Sequence, residues 1–200
     1  MSTPYDHAGK QGVIAQILSI ELSMFLSVRS LEKASCQEDP ERFKVMRAAQ
    51  FSAWSEKTLE SYLKDLKRAE SEGDNLMTLK YARMDDLIPP LSLSPLIPAI
   101  VEIQKKWQKE LAGKYPGVMG RGRGISDDEA EGRGTSFERY LKGELETYSE
   151  QTLQELMSDA QEYLDRNENM AQAIYEAMIR ELGYESLSEA EAAISERRNG

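Results

Sequence analysis

The stretch FKVMRAAQFSAWSEKTLESYLKDL, residues 43–66, carries apolar side chains at helical spacing along most of its length. Side chains that recur every three or four residues share one face of a helix, so the stretch predicts a long amphipathic helix that can kink near Ser55. Asp39 and Pro40 are typical of a helix start, and Gly73 is typical of a helix end. The apolar stripe consists of Phe43, Met46, Phe51, Trp54, Leu59, Tyr62, Leu63 and Leu66.

The same periodicity extends in both directions from this stretch. It predicts further helices over about 10–31, 75–84, 95–112, 135–157 and 169–182, with a short terminal helix over 188–197. The proline-containing run 87–98 predicts a connector, and the glycine-rich segment 114–134 predicts a loop. No stretch alternates apolar and polar residues in the manner of a strand, so the sequence predicts an all-α fold.

The long stripe has a second copy. When the chain is shifted by 94 positions, residues 41–84 match residues 135–178 at polar as well as apolar positions. Two amphipathic helices resemble each other by chance, but the polar matches favour a duplication. The sequence therefore predicts one all-α domain over 1–200, a helical bundle of two tandem pseudo-symmetric repeats over about 10–86 and 95–182. The identical pairs are Phe43/Phe137, Ser55/Ser149, Glu56/Glu150, Thr58/Thr152, Leu59/Leu153, Asp65/Asp159, Asn75/Asn169, Tyr81/Tyr175 and Met84/Met178.

The net charge of the chain and its counts of cysteine and histidine argue against several classes of function. Thirty-five acidic and 25 basic residues give a net charge of −10, which disfavours non-specific binding to nucleic acid. One cysteine and one histidine argue against a disulfide framework, a histidine-ligated metal and a Ser–His–Asp triad. No cofactor is expected.

The run 87–101 is too short to cross a bilayer and no secretion signal is evident, so we expect a cytoplasmic protein without membrane contact.

Four polar side chains occupy positions that helical spacing assigns to apolar faces: Glu21, Arg47, Gln50 and Glu144. Buried charges need partners, so Glu21, Arg47 and Glu144 are expected to converge near the axis between the two repeats. They predict either a polar pocket, in which Glu21 and Glu144 supply acid–base chemistry, or a structural ion-pair network. In the pocket, Arg47, Gln50, Trp54 and Tyr148 would bind the ligand.

The glycine-rich segment is the second candidate site. Arg121 and Arg123 alternate with glycines there, and such a loop can turn backbone N–H groups and guanidinium groups toward a carboxylate or phosphate. The alternative is a solvated flexible loop. Cys36 is the third candidate, because it precedes a helix start whose dipole favours a thiolate. It is either a catalytic nucleophile or a small buried apolar residue.

Several motifs resemble an uncharacterised bacterial family, the domain of unknown function numbered four-one-two-five. The resemblance covers nearly the whole chain and implies no activity. It places Cys36, Arg47, Gln50, Arg121, Arg123 and Glu144 inside family-like motifs. The segments that carry it are 34–40, 43, 46–47, 50–55, 114–116, 120–123, 135–138, 140–141, 143–145, 147–149 and 152–153.

Two functions stay open from the sequence. One is binding or conversion of a small anionic molecule, held by Arg121, Arg123 and Arg47, with Glu21 or Glu144 as acid or base. The other is an acidic helical adaptor or regulator that binds another protein, or a second copy of itself, without catalysis. The sequence does not decide whether the protein is an enzyme.

Overall fold

A computed structural model describes residues 4–28, 39–130 and 134–199 of the chain, and these residues form ten α-helices without any strand. The prediction of an all-α fold is therefore confirmed. The helices are α1 (Pro4–Ser27), α2 (Pro40–Ser52), α3 (Glu56–Glu72), α4 (Leu76–Met84), α5 (Leu96–Lys114), α6 (Pro116–Met119), α7 (Phe137–Leu145), α8 (Glu150–Asp165), α9 (Met170–Glu181) and α10 (Leu187–Asn199).

The long stripes around Ser55 and Ser149 each form two helices instead of one. α2 gives way to α3 and α7 to α8, and each second helix begins at a serine whose hydroxyl accepts the N–H of Thr58 or Thr152. A serine cap stabilises a new helix start, so a short corner replaces the kink expected near Ser55. The single helix predicted over 135–157 is wrong for the same reason.

Other boundaries differ from the predictions at helix ends. α1 begins at Pro4 and ends at Ser27, which leaves Val28 outside the helix. α5 runs on to Lys114, and the segment predicted as a loop contains the short helix α6. Gly73 ends α3 with φ +78°, a left-handed conformation that glycine adopts without steric cost.

Helices from the two halves of the chain interleave. α2 packs on α9, α7 packs on α4, and α3 and α8 pack on each other. α1 packs on α2, α3 and α4, and α5 packs on the corresponding helices α7, α8 and α9. Each contact that a helix of one half makes therefore has a counterpart, made by the equivalent helix of the other half. This is the arrangement that a duplication would produce; the repeat itself stays a prediction, as does the single domain.

Hydrogen bonds across the α3–α8 contact repeat in the same way. The carboxylate of Asp159 accepts the Ser55 N–H at 2.9 Å and the Thr58 hydroxyl at 2.7 Å. Asp65 accepts the Ser149 N–H at 2.9 Å and the Thr152 hydroxyl at 2.7 Å. Each aspartate thus stabilises the N-terminus of the helix in the other half.

The apolar core runs through both halves as one cluster. Phe51, Tyr62, Leu66, Ile100 and Leu153 lie at its centre with almost no exposure. Among the described helices, none combines the length and apolar character that a membrane crossing requires.

Candidate functional site

Three of the charged residues predicted to converge do so at the centre of the molecule. α1 carries Glu21, α2 carries Arg47 and α7 carries Glu144, and all three side chains are buried. Each stands on the face that its helix turns inward, as the apolar stripes predict. Together with Lys80 of α4 they are called the core charge cluster below.

Arg47 joins the two carboxylates of the core charge cluster. Its guanidinium binds Glu21 in a bidentate arrangement, with Nε 2.8 Å from Oε2. Its Nη1 lies 2.7 Å from Glu144 Oε1 and 2.7 Å from the Gln50 side-chain oxygen. The planar fork of arginine suits this bridging role, because it offers five donors in fixed directions.

Lys80 completes the charge balance, although the sequence analysis did not single it out. Its ammonium nitrogen lies 2.6 Å from Glu144 Oε2, and the residue is only 2% exposed. The cluster therefore contains two acidic and two basic side chains. Two tyrosine hydroxyls complete it: Tyr62 donates to Glu21 at 2.6 Å, and Tyr148 donates to Glu144 at 2.7 Å.

Gly143 allows α7 to reach Lys80. A Cβ atom at this position would lie 3.1 Å from the Lys80 carbonyl oxygen and 3.0 Å from Met84 Cγ. α4 and α7 can therefore approach closely only where the side chain is absent. The close approach brings Glu144, the next residue, within hydrogen-bonding distance of the Lys80 ammonium group.

The ionisation of the cluster follows from its burial and its pairing. Burial alone would raise the pKa of Glu144, but Arg47 and Lys80 outweigh it and hold the pKa far below the ordinary value. Burial would lower the pKa of Arg47 and of Lys80, but the neighbouring groups together outweigh it and raise both pKa values. Glu144 contributes most of this effect in each case, and Glu21 adds to it at Arg47. Burial raises the pKa of Tyr62 and of Tyr148, and their carboxylate partners raise it further.

The core charge cluster is satisfied by its own members. No buried side-chain nitrogen or oxygen in the described part of the chain lacks a hydrogen-bond partner. Two surface cavities of about 470 and 440 Å³ lie elsewhere, one beside Lys106, Trp107 and Tyr163 and the other beside Asp127 and Arg139. Direct contacts thus fill the place where the sequence predicts a polar pocket. Such a set of groups can hold helices together.

The remaining residues predicted for this site have different surroundings. Gln50 bonds to Arg47 and lies 3.4 Å from Glu144. Trp54 is buried in the apolar core, where its ring meets those of Phe51, Tyr62 and Tyr148 edge-on at 5.2 to 6.1 Å. Cys36 lies outside the described residues. Within the described ranges, no group of three or more His, Cys, Asp or Glu residues could hold a metal ion.

The glycine-rich segment 114–134 is called the Gly–Arg loop below, and several of its backbone N–H groups bond to acceptors in the same chain. Glu191 of α10 accepts the N–H groups of Gly117 and Val118 at 2.7 and 2.8 Å. The N–H groups of Gly120 and Gly122 bond to carbonyl oxygens one turn earlier. The expectation that these amides turn toward an external anion is therefore wrong, because helix α6 and the carboxylate of α10 already occupy them.

The two arginines of the loop differ in their surroundings. Arg123 donates to the Thr135 carbonyl at 3.2 Å, and its guanidinium lies 5.0 Å from the centre of the Tyr140 ring. The same ring lies 3.6 Å from the Lys80 ammonium nitrogen, so Tyr140 connects the loop with the core charge cluster. Arg121 is exposed and has neither an ion pair nor a hydrogen bond from its side chain to any described residue.

Sequence reasoning missed Lys80, Tyr62 and Tyr140 as partners of the cluster. Lys80 stands between Met77 and Met84 at helical spacing, a signal of the same kind as those of Glu21 and Glu144. Tyr62 and Tyr140 belong to apolar stripes, and nothing in their spacing distinguishes a tyrosine that bonds to a carboxylate from one that only packs.

A second buried ion pair holds the connector between α4 and α5. The Arg83 guanidinium binds both carboxylate oxygens of Glu146 and donates to the Ile88 carbonyl at 2.8 Å. Glu146 also accepts the Leu91 N–H at 3.2 Å. Between these anchors Pro89 and Pro90 are exposed.

Leucines beside these anchors point into solvent. Leu87 is 75% exposed, Leu93 is 89% exposed and Leu91 is also exposed. Residues 87–93 are called the leucine–proline ridge below. Scattered apolar residues are common on protein surfaces, but three exposed leucines within seven residues form a local apolar feature.

Comparison with known proteins identifies one family model, described as Protein of unknown function (DUF4125), which matches residues 11–192. The resemblance seen in the sequence is therefore confirmed. Neither the curated proteins nor the solved structures give a match.

Proposed function

Because the chain belongs to the DUF4125 family, whose description assigns no activity, we propose its function from geometry alone: a helical interaction protein that binds another protein through the leucine–proline ridge. The observation that carries this proposal is the Arg83–Glu146 pair. A buried ion pair contributes little net stability, yet this one directs its remaining hydrogen bonds to the backbone of an exposed apolar segment.

Preorganisation is the physical advantage of this arrangement. The anchors at Ile88 and Leu91 and the fixed φ angles of Pro89 and Pro90 hold the segment in one conformation before binding. A segment that is already ordered loses less conformational entropy when it binds, so more of its apolar contact energy becomes affinity.

The core charge cluster has a structural role in this proposal. Glu21 and Glu144 are buried and fully paired with Arg47 and Lys80. Of the two alternatives that the sequence leaves open, a polar pocket and a structural ion-pair network, this pairing supports the network. The cluster then holds α1, α2, α4 and α7 in register, and the surface carries the interaction.

The test uses the affinity-tagged full-length chain, purified from the cells that naturally express it. The wild-type chain is expected to co-purify with a second protein at fixed stoichiometry, and Leu87→Ser/Leu93→Ser is expected to lose that protein. Leu182→Ser is the matched control, since Leu182 is 65% exposed outside the ridge. Equal recovery with the ridge variant and the control would contradict the proposal.

Binding of a small anionic molecule is the second candidate, and Arg121 is the observation that favours it. This guanidinium is exposed without an ion pair from the described residues and lies two positions from Arg123. Inorganic phosphate and citrate are the probes. If this function holds, they raise the melting temperature of the wild-type chain above that in chloride of equal ionic strength, and Arg121→Ala/Arg123→Ala abolishes the difference.

A further inference from the structure

The leucine–proline ridge also indicates what kind of surface it meets, an inference that rests on the proposed function. We propose that its partner is a different protein with an apolar groove, lined by aromatic side chains and bordered by basic ones, which receives the exposed prolines and leucines of residues 87–93. Backbone hydrogen bonding, side-chain exposure and charge support this choice.

The backbone of the ridge is poorly suited to strand addition. Pro89 and Pro90 have no N–H, the Leu91 N–H bonds to Glu146, and the Leu87 N–H bonds to the Ala82 carbonyl. The Ile88 carbonyl is also taken, by Arg83. A partner that adds the ridge to a sheet edge needs regularly spaced free N–H and C=O groups, so recognition falls to the side chains.

The side chains favour a groove over a flat surface. Pro89 and Pro90 have fixed φ angles, and the chain bends on either side of them, at Ile88 and at Leu91. The two prolines and the leucines at 87, 91 and 93 are all exposed, and a recessed surface covers more of such side chains than a flat one does. Grooves lined by aromatic rings are the usual receptors for exposed prolines, because the rings stack on the pyrrolidines and the gaps between the rings accept aliphatic side chains.

Charge favours a basic border and disfavours a second copy of the chain. Asp85 is exposed two residues before the ridge, and no ion pair involves its side chain within the described ranges. The whole chain carries a net charge of −10, so two copies repel each other on approach. A partner with lysines or arginines around its groove gains association rate from the same field.

The test places a photoreactive side chain at the tip of the ridge. Full-length chain carrying Leu93→p-benzoylphenylalanine is irradiated in the cells that naturally express it, and the attachment point is mapped by mass spectrometry. The expected adduct joins position 93 to a different protein, at a site that contains aromatic and basic residues. Leu182→p-benzoylphenylalanine is the control and is expected to give no such adduct.

A charge variant tests the basic border with the purified pair. Asp85→Lys is expected to weaken association about tenfold, mainly through the association rate. Asp74→Lys changes another exposed aspartate, near the other end of α4, and is expected to have little effect. Circular dichroism and melting temperature check that each variant is folded.

The outcomes separate this inference from the proposed function. An adduct between two copies of the chain, an attachment site without aromatic or basic residues, or equal effects of the two lysine variants would overturn the inference. The proposed function would still stand if the ridge variant lost its co-purifying protein. Both would be overturned if Leu87→Ser/Leu93→Ser kept its co-purifying protein and Leu93→p-benzoylphenylalanine gave no adduct with another protein.

Discussion

At the scale of single residues, the stability of the protein depends most on the balance of positive and negative side chains in the core charge cluster. Glu144 is bonded to Arg47, Lys80 and Tyr148, so it holds both cations in place. Removing one partner from a buried ion pair leaves a charge that neither water nor protein compensates, which costs far more than the pair contributes. The cluster therefore tolerates single changes poorly.

Glu144→Gln tests this asymmetry directly. The substitution keeps the shape of the side chain but leaves two buried cations with the single carboxylate of Glu21, so we expect the free energy of unfolding to fall by about 3–5 kcal/mol. Urea denaturation measures it. Glu162→Gln is the control: it removes an exposed ion pair with Arg166, and solvent screening leaves such a pair with little effect on stability. A similar small loss for both variants would contradict a structural role for the cluster.

Acid should destabilise the protein through the same residue. The pKa of Glu144 in the folded chain lies below the ordinary value of 4.5, so its contribution is complete above that pH and is lost as the pH falls below it. We expect urea midpoints measured between neutral pH and the acid range to decline below about pH 4.5. Glu144→Gln should decline less steeply, and an unchanged slope would show that other carboxyl groups cause the loss.

Glu21, Arg47 and Glu144 could be predicted because a polar residue within an apolar stripe is visible in a single sequence. Their pairing could not, because it depends on which helices meet. Lys80 reaches Glu144 only through the close approach at Gly143. The sequence does not show which group the amides of Gly117 and Val118 bind. Their partner Glu191 is more than seventy positions away, and its surroundings in the sequence do not distinguish it from a surface glutamate.

At the scale of helices, the reciprocal aspartates connect the halves. Asp65 and Asp159 each accept an N–H and a hydroxyl with one carboxylate oxygen, at equal distances on both sides. The corners at Ser55 and Ser149 are thereby capped from outside their own half. In the sequence these two aspartates appear only as a pair of identical residues 94 positions apart. Their hydrogen bonds could not be predicted, because these depend on how α3 and α8 pack on each other.

Asp65→Ala and Asp159→Ala should therefore have similar effects. Each leaves a backbone N–H and a threonine hydroxyl without their acceptor, so we expect each to lower the free energy of unfolding by about 2–3 kcal/mol. Asp→Asn should cost less at either position, because one amide oxygen can still accept both hydrogen bonds. Asp165→Ala, on the surface of α8, is the control. A large difference between the two alanine variants would contradict equivalent roles.

At the scale of the whole molecule, the interleaved helices oppose independent unfolding of either half. α2 packs on α9 and α7 packs on α4, so neither half keeps its core when the other melts. The two tryptophans report on both halves, since Trp54 follows α2 and Trp107 belongs to α5.

Single-tryptophan variants test this cooperativity. In Trp54→Phe and in Trp107→Phe, the denaturation midpoint from the remaining tryptophan's fluorescence should coincide with the midpoint from circular dichroism. The two variants can differ from each other in stability, because each loses buried surface. Separate midpoints within one variant would show that the halves unfold independently and would exclude a single cooperative unit.

The side-chain charges of the core charge cluster (Glu21, Arg47, Lys80 and Glu144) sum to zero, and this balance constrains how the four positions can change during evolution. A change at one of these positions costs a large share of the 5–15 kcal/mol that holds a typical domain together, so a lineage that loses one charge must soon lose its counterpart or regain it. The four positions should therefore covary within the family: relatives should carry either the complete quartet or a jointly altered set of equal net charge.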